Sequence, residues 1–173
     1  VYGNFTRHQA LDLGSRIKGA KAAIKPQVNI LALPAQQFSY EVSSPYSDAV
    51  IAFYIQASAL DKSTRAAMGV TSQILRADFF NDLRTEKQLG YVVTSGAYPV
   101  RDVPGMFFLV QSPVASAGSL QNEINAFIQA RADGLDEMPE PEFEQHRSVL
   151  IQRLSEQPKN LLEQADRFWS DLQ

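Results

Sequence analysis

Arg84 and Tyr91 stand seven residues apart in the run Phe79 to Gly96, FFNDLRTEKQLGYVVTSG, and their types suit work on a peptide bond. A guanidinium can donate to peptide carbonyls, and a phenol can donate to an oxyanion that develops on one of them. Between them lies a charged turn, Arg84-Thr85-Glu86-Lys87, which joins an apolar helix end to the β-rich run Tyr91-Val92-Val93-Thr94. Spacing allows two readings of this elbow. In one, Arg84 satisfies the last carbonyls of the preceding helix, Lys87 does something similar, and Tyr91 is an ordinary strand aromatic. In the other, rigid elements on either side project Arg84 and Tyr91 into a cleft.

No other segment offers a comparable site. The two histidines are His8, four residues before Asp12, and His146, near Glu142 and Glu144. The first pair has a spacing that could hold a metal, yet nothing nearby completes a site, and both read as solvated faces. The chain contains no H-E-x-x-H, no H-x-x-E-H and no glycine-rich phosphate loop. A serine hydrolase needs a base beside its nucleophile, and these histidines do not supply one. With no cysteine there is no thiolate nucleophile, disulfide or sulfur-ligated metal. The residues alone thus define no complete catalytic centre.

The bulk composition is that of a globule. Of 173 residues, 45% are apolar and 20% charged, enough apolar surface for one sizeable core, so a single domain over residues 1–173 is expected. A net charge of −3 with basic residues scattered along the chain disfavours nucleic acid. No apolar run approaches the ~20 residues of a membrane-spanning helix, so no membrane partner is expected. The start on Val1 lacks a leader and a methionine, and suggests a piece of a longer polypeptide.

The elements that must position the elbow can be taken in chain order. A short strand is expected at Val1 to Phe5, then a helix opened by a Thr6/Gln9 capping box and closed by Pro26. Ala10, Leu13, Ile17, Ala20 and Ile24 make one apolar stripe, expected to face a core and to hold the helix against the cost of Gly14 and Gly19. Asn4-Phe5-Thr6 has the form of a glycosylation acceptor, a motif that recurs by chance. After a proline-marked connector, a strand is expected at Phe38 to Ser43. A second, apolar on both faces and so central, is expected at Ala49 to Ala57. A largely buried helix runs from about Asp61–Ser63 to Leu83. Two antiparallel strands come next, about Leu89 to Tyr98 and Met106 to Ser112, around the loop Pro99 to Gly105. Three helices close the chain. The first, carrying Leu120, Ile124, Phe127 and Arg131, stops at a left-handed Gly134. The second, after Pro139 and Pro141, turns Phe143, Leu150 and Leu154 inward. The third is capped by Asn160 with Glu163 and carries Leu161, Ala165, Phe168 and Leu172, an apolar face left unended at Gln173. The order predicts an α+β two-layer sandwich, a mostly antiparallel sheet with helices packed on one face.

The run FFNDLRTEKQLGYVV resembles the signature near the C-terminal end of the pitrilysin and insulin-degrading-enzyme family of zinc metallopeptidases. GNFT at the start, FFLVQS at Phe107 to Ser112 and Arg167-Phe168-Trp169 near the end keep the same order. The resemblance implies most of the fourth and last domain of a four-domain peptidase, truncated at its C-terminus. Zinc would be held by an inverted H-x-x-E-H motif in the first domain, with none bound by this chain. It implies that Arg84 binds the substrate backbone, that Tyr91 polarises the scissile carbonyl and stabilises its tetrahedral intermediate, and that Phe80 lines the pocket just beyond the scissile bond. The implied activity is degradation of peptides and small unfolded proteins, with peptide substrates and the other domains as partners and the chain alone inactive. A non-catalytic scaffold or peptide-binding partner subunit of the same fold is the alternative. The related bacterial enzymes are periplasmic and the animal ones largely cytosolic, so a periplasmic setting is expected first and a cytosolic one second.

Overall fold

The computed structural model of the chain describes residues 3–19, 30–31 and 33–170. The chain divides into two compact units, one spanning Ile30–Leu154 and the other Val1–Asn29 with Ser155–Gln173.

The larger unit is an open three-stranded antiparallel sheet in the order β1-β3-β2, built from β1 (Ala49–Gln56), β2 (Val92–Ala97) and β3 (Gly105–Ser112). Period-two side chains give the sheet two unlike faces. Met106, Phe108 and Val110 of β3 are buried with Val93 of β2 beneath α2 (Lys62–Phe80) and α3 (Ala117–Leu135). Helix α2 lies on β2 and β3, and α3 on β1. On the opposite face Tyr54, Tyr98 and Phe107 meet edge to face. The core centres on three mutually edge-on rings: Phe79 lies 5.0 Å from Phe108 and 5.2 Å from Phe127. Leu83, Leu120 and Ile124 close around them. Burying each such side chain contributes about 1.5–3 kcal/mol, so this layer is what holds the sheet and its helices together. The expected α+β architecture, with helices on one face of an antiparallel sheet, is the one observed.

Local capping explains where the helices begin. Asp61 accepts from the Thr64 backbone N–H at 2.9 Å and Ser116 accepts from that of Ser119 at 3.2 Å, each satisfying an otherwise unpaired donor of the first turn. Helix α4 spans Glu140–Ser155, with Pro141 in its first turn, where a missing N–H costs nothing. In the smaller unit α1 spans Arg7–Gly19 and α5 spans Leu161–Ser170. Thr6 and Gln9 form the expected reciprocal box, the Thr6 N–H donating to Gln9 Oε1 at 2.9 Å and the Gln9 N–H to Thr6 Oγ1 at 3.3 Å. For α5 the Glu163 N–H donates to Asn160 Oδ1 at 2.9 Å, while the Glu163 carboxylate accepts from the Lys159 backbone N–H at 2.7 Å and the Asn160 side-chain amide at 2.6 Å.

Several expectations are corrected. Among the described residues β1 is an edge strand: Ile51, Phe53 and Ile55 pack on the core while Val50 is exposed, because its apolar residues serve one buried and one open face. Phe38 to Ser43 forms no strand, and Phe38, Tyr40 and Val42 are exposed. Leu33 instead donates its N–H to the Gln56 side chain at the end of β1. Gly3 to Phe5 is not a strand, since the Phe5 N–H turns back to the Gly3 carbonyl; Val1 and Tyr2 lie outside the described residues, as do Ala20 to Asn29, including Ile24 and Pro26, and Leu172. Helix α3 runs through Gly134 without a left-handed residue and is capped by Asp136. Leu150 is buried as expected, whereas Phe143 and Leu154 are exposed. Leu13 and Ile17 of α1, and Leu161 and Phe168 of α5, are also exposed.

Candidate functional site

Helix α2 does not stop at Phe80 but widens into a π-helical turn, Asn81–Glu86, in which the Lys87 N–H reaches the Asp82 carbonyl at 2.9 Å. One extra residue per turn rotates the downstream residues relative to the α-helical register, and such turns are frequent at functional sites. Gln88 then takes a left-handed conformation, φ 52°, which reverses the chain. The Leu89 N–H returns to the Leu83 carbonyl at 2.9 Å, and Arg84 Nη1 donates to the Gly90 carbonyl at 2.6 Å. Arg84 therefore fixes the peptide immediately before Tyr91. That partner differs from the last helix carbonyls expected of a simple capping arginine. Lys87 Nζ closes the outside of the elbow by pairing with Asp82 at 2.9 Å and with Glu123 of α3 at 2.8 Å.

Strand β2 starts against β3 at the pair Val92–Gln111. Just ahead of it, a Cβ on Gly90 would run into the Gln111 backbone carbonyl, so this entry into the sheet requires a glycine for close approach. Tyr91, 52% exposed, then donates its hydroxyl to Asp48 Oδ2 at 2.9 Å. The Gln111 side-chain amide donates to that same Asp48 oxygen at 3.1 Å and also to the Tyr91 hydroxyl oxygen. The Asp48 carboxylate, by accepting the phenolic proton, holds Tyr91 above the ordinary tyrosine range; partial desolvation and the carboxylate charge act in the same direction. Tyr91 is accordingly a neutral donor at ordinary pH.

Phe80 sits apart from this pair. Its half-exposed ring lines a groove of about 470 Å³ with Gln73, Arg76, Asn81, Thr94 and Ser95, and neither Arg84 nor Tyr91 lines it. In that groove Gln73 Oε1 and Ser95 Oγ are buried without a hydrogen-bond partner. The structure thus joins Arg84 to Tyr91 through Gly90 and leaves Phe80 on a neighbouring surface. Sequence reasoning missed Asp48, Gln111 and Glu123. Asp48 reads as turn chemistry, although Gln111 lies in the quoted strand FFLVQS, where alternation puts it on the open face. Among the described residues no group of three His, Cys, Asp or Glu could hold a metal ion. No helix among them is long and apolar enough to cross a membrane.

A helix-backed antiparallel sheet makes this an α+β domain, and comparison places it with the pitrilysin and insulin-degrading-enzyme family. Residues 70–169 match the model of the family described as PQQ synthase PqqF-like, C-terminal lobe domain 4, and the chain belongs to that family. The crystal structure of pitrilysin superimposes with a TM-score of 0.65 at 30% identity, over 75% of this chain and 14% of that one. Insulin-degrading enzyme of Drosophila melanogaster is 28% identical over 99% of this chain and 19% of its own length. Coenzyme PQQ synthesis protein F of Pseudomonas syringae pv. tomato is 38% identical over 59% of this chain and 14% of its own length. The chain therefore spans about a fifth or less of the relatives it matches.

Proposed function

We propose that this chain is most of the last domain of a zinc metalloendopeptidase that degrades peptides and small unfolded proteins, and that it supplies substrate-binding and oxyanion-stabilising donors. The carrying observation is the elbow itself, with an arginine locked to the peptide that precedes an accessible, neutral phenol. Arg84 would bind the substrate backbone with the guanidinium donors that Gly90 leaves free, and the Tyr91 hydroxyl would donate to the scissile carbonyl oxygen as charge develops there. Phe80, on its separate groove, would receive the side chain just beyond the scissile bond. Among the described residues no cluster could hold a zinc ion; zinc would be held by another domain, and the chain alone would not cleave. Membership of a family whose relatives include peptidases supports this reading.

The test is Tyr91→Phe in the complete polypeptide, assayed on a quenched-fluorescent peptide. Turnover is expected to fall about 10²–10³-fold, the usual effect of losing one such donor, with zinc content and fold intact. Unchanged turnover would remove Tyr91 from the mechanism. One observation favours a second reading, a non-catalytic partner subunit: the Tyr91 hydroxyl already donates its hydrogen bond to Asp48. A complete polypeptide that binds peptide but never cleaves it would decide for that alternative.

A further inference from the structure

A phenol has one proton to give. In this structure Tyr91 gives it to Asp48 Oδ2, and the Gln111 amide donates both to that oxygen and to the phenol oxygen. Three residues from three separate places, the turn before β1, the position just ahead of β2 and the end of β3, thereby close a ring of hydrogen bonds around a side chain that is 52% exposed. An aromatic with so little packing would otherwise sample several rotamers.

We propose that Asp48 and Gln111 are positioning residues for Tyr91, fixing its ring at the elbow and keeping its hydroxyl hydrogen-bonded to a carboxylate until a more demanding oxygen arrives. The hand-over needs only rotation about the phenol C–O bond. The hydroxyl leaves one anionic acceptor for another, while the Gln111 donor stays on the phenol oxygen and on Asp48. The ring therefore need not move when the proton changes partner, which is the preorganisation that makes such a donor effective. The inference rests on the reading of Tyr91 as an oxyanion donor and adds two residues that the elbow motif does not contain.

The test is a cycle in the complete polypeptide with Asp48→Ala, Tyr91→Phe and the double variant. Asp48→Ala is expected to lower kcat about 10- to 100-fold with KM little changed, the scale of a misplaced reacting group. Asp48→Asn, which keeps an acceptor oxygen, should recover most of the loss. The double variant should be no slower than Tyr91→Phe alone. A readout independent of activity is the phenol titration of 13C-labelled Tyr91 by NMR, which should move down towards the ordinary tyrosine range in both Asp48 variants. If Tyr91→Phe lowers kcat but Asp48→Ala does not, or if the two losses multiply, the positioning role is overturned and the role of Tyr91 stands. A phenol titration that stays put in Asp48→Asn overturns the contact even where Asp48→Ala does not fold. If Tyr91→Phe leaves kcat unchanged, the reading of the site falls and this inference with it.

Discussion

Phe79 and Phe80 are consecutive in α2, yet the first is wholly enclosed and the second is 45% exposed. They mark the border between two regions built on different physics. Inward of Phe79 the structure is held by apolar area and edge-on rings, interactions that are shared among many neighbours and fix no single atom. Outward of Phe80, apart from Leu83, which returns to the core, the residues from Asn81 to Val92 are positioned by individual bonds: Arg84 to Gly90, Lys87 to Asp82 and Glu123, Tyr91 to Asp48. Each such bond contributes a net ~0.5–1.5 kcal/mol to stability, so these bonds add little to the fold beside the buried apolar layer. What it does is place two donors. The difference teaches that stability and chemistry in this chain can be perturbed separately.

The largest expected effect lies on the core side. Phe79→Ala removes a ring that contacts both Phe108 and Phe127 and should cost about 3–5 kcal/mol. Native-state hydrogen exchange of residues 62–80 in the complete polypeptide would report it as lost protection throughout α2, and protection equal to wild type would contradict the assignment of this ring as the centre of the core. Gly90→Ala probes the border from the other side. Its Cβ meets backbone rather than a movable side chain, so the β2–β3 entry must shift, at a cost of about 1–3 kcal/mol. Because Tyr91 is the next residue, turnover should fall by more than the melting temperature suggests. An active variant with only a lowered melting temperature would show that the elbow tolerates displacement.

The same border separates the features legible in the sequence from those that are not. Caps are local, so Thr6 with Gln9 and Asn160 with Glu163 are readable from spacing three. The wide apolar arc of α2 suggests a largely buried helix, but only Ser72, Ile74, Leu75 and Phe79 are buried while Ala67 and Ala77 are exposed, since an alanine is too small to require cover. The place of β1 in the sheet is not readable: whether a strand is central depends on neighbours far along the chain, and apolar residues on both faces of β1 suit an open sheet face as well as a buried one. Gly134 misleads because glycine is compatible with a left-handed cap without requiring one, and α3 continues past it. Arg84 and Tyr91 are visible as a motif, but the partners that orient Tyr91 lie 43 and 20 residues away. Nothing in local spacing encodes such a meeting. The π-helical turn is likewise invisible, since it differs from a helix end by one residue of register.

Glu123 is the smallest lever and bears on how the two regions are joined, because it belongs to α3 and holds Lys87 on the elbow. The Lys87 ammonium is held above the ordinary lysine range, first by the Glu123 carboxylate, then against that by desolvation, then in support by Asp82. A folded-state pKa above the unfolded one means stability that is fully present below the unfolded value and lost as pH rises through the folded value, so the contribution fades only in the alkaline range above that of an ordinary lysine. Lys87 and Glu123 are both more than a third exposed, so solvent screening keeps Glu123→Gln below about 1 kcal/mol. Chemical denaturation of the complete polypeptide at pH 8 should separate variant from wild type, and the gap should shrink at pH 11 and in high salt. A gap that persists at both would mean that Glu123 acts through packing on α3 rather than through the Lys87 charge. The link between core and elbow would then be steric.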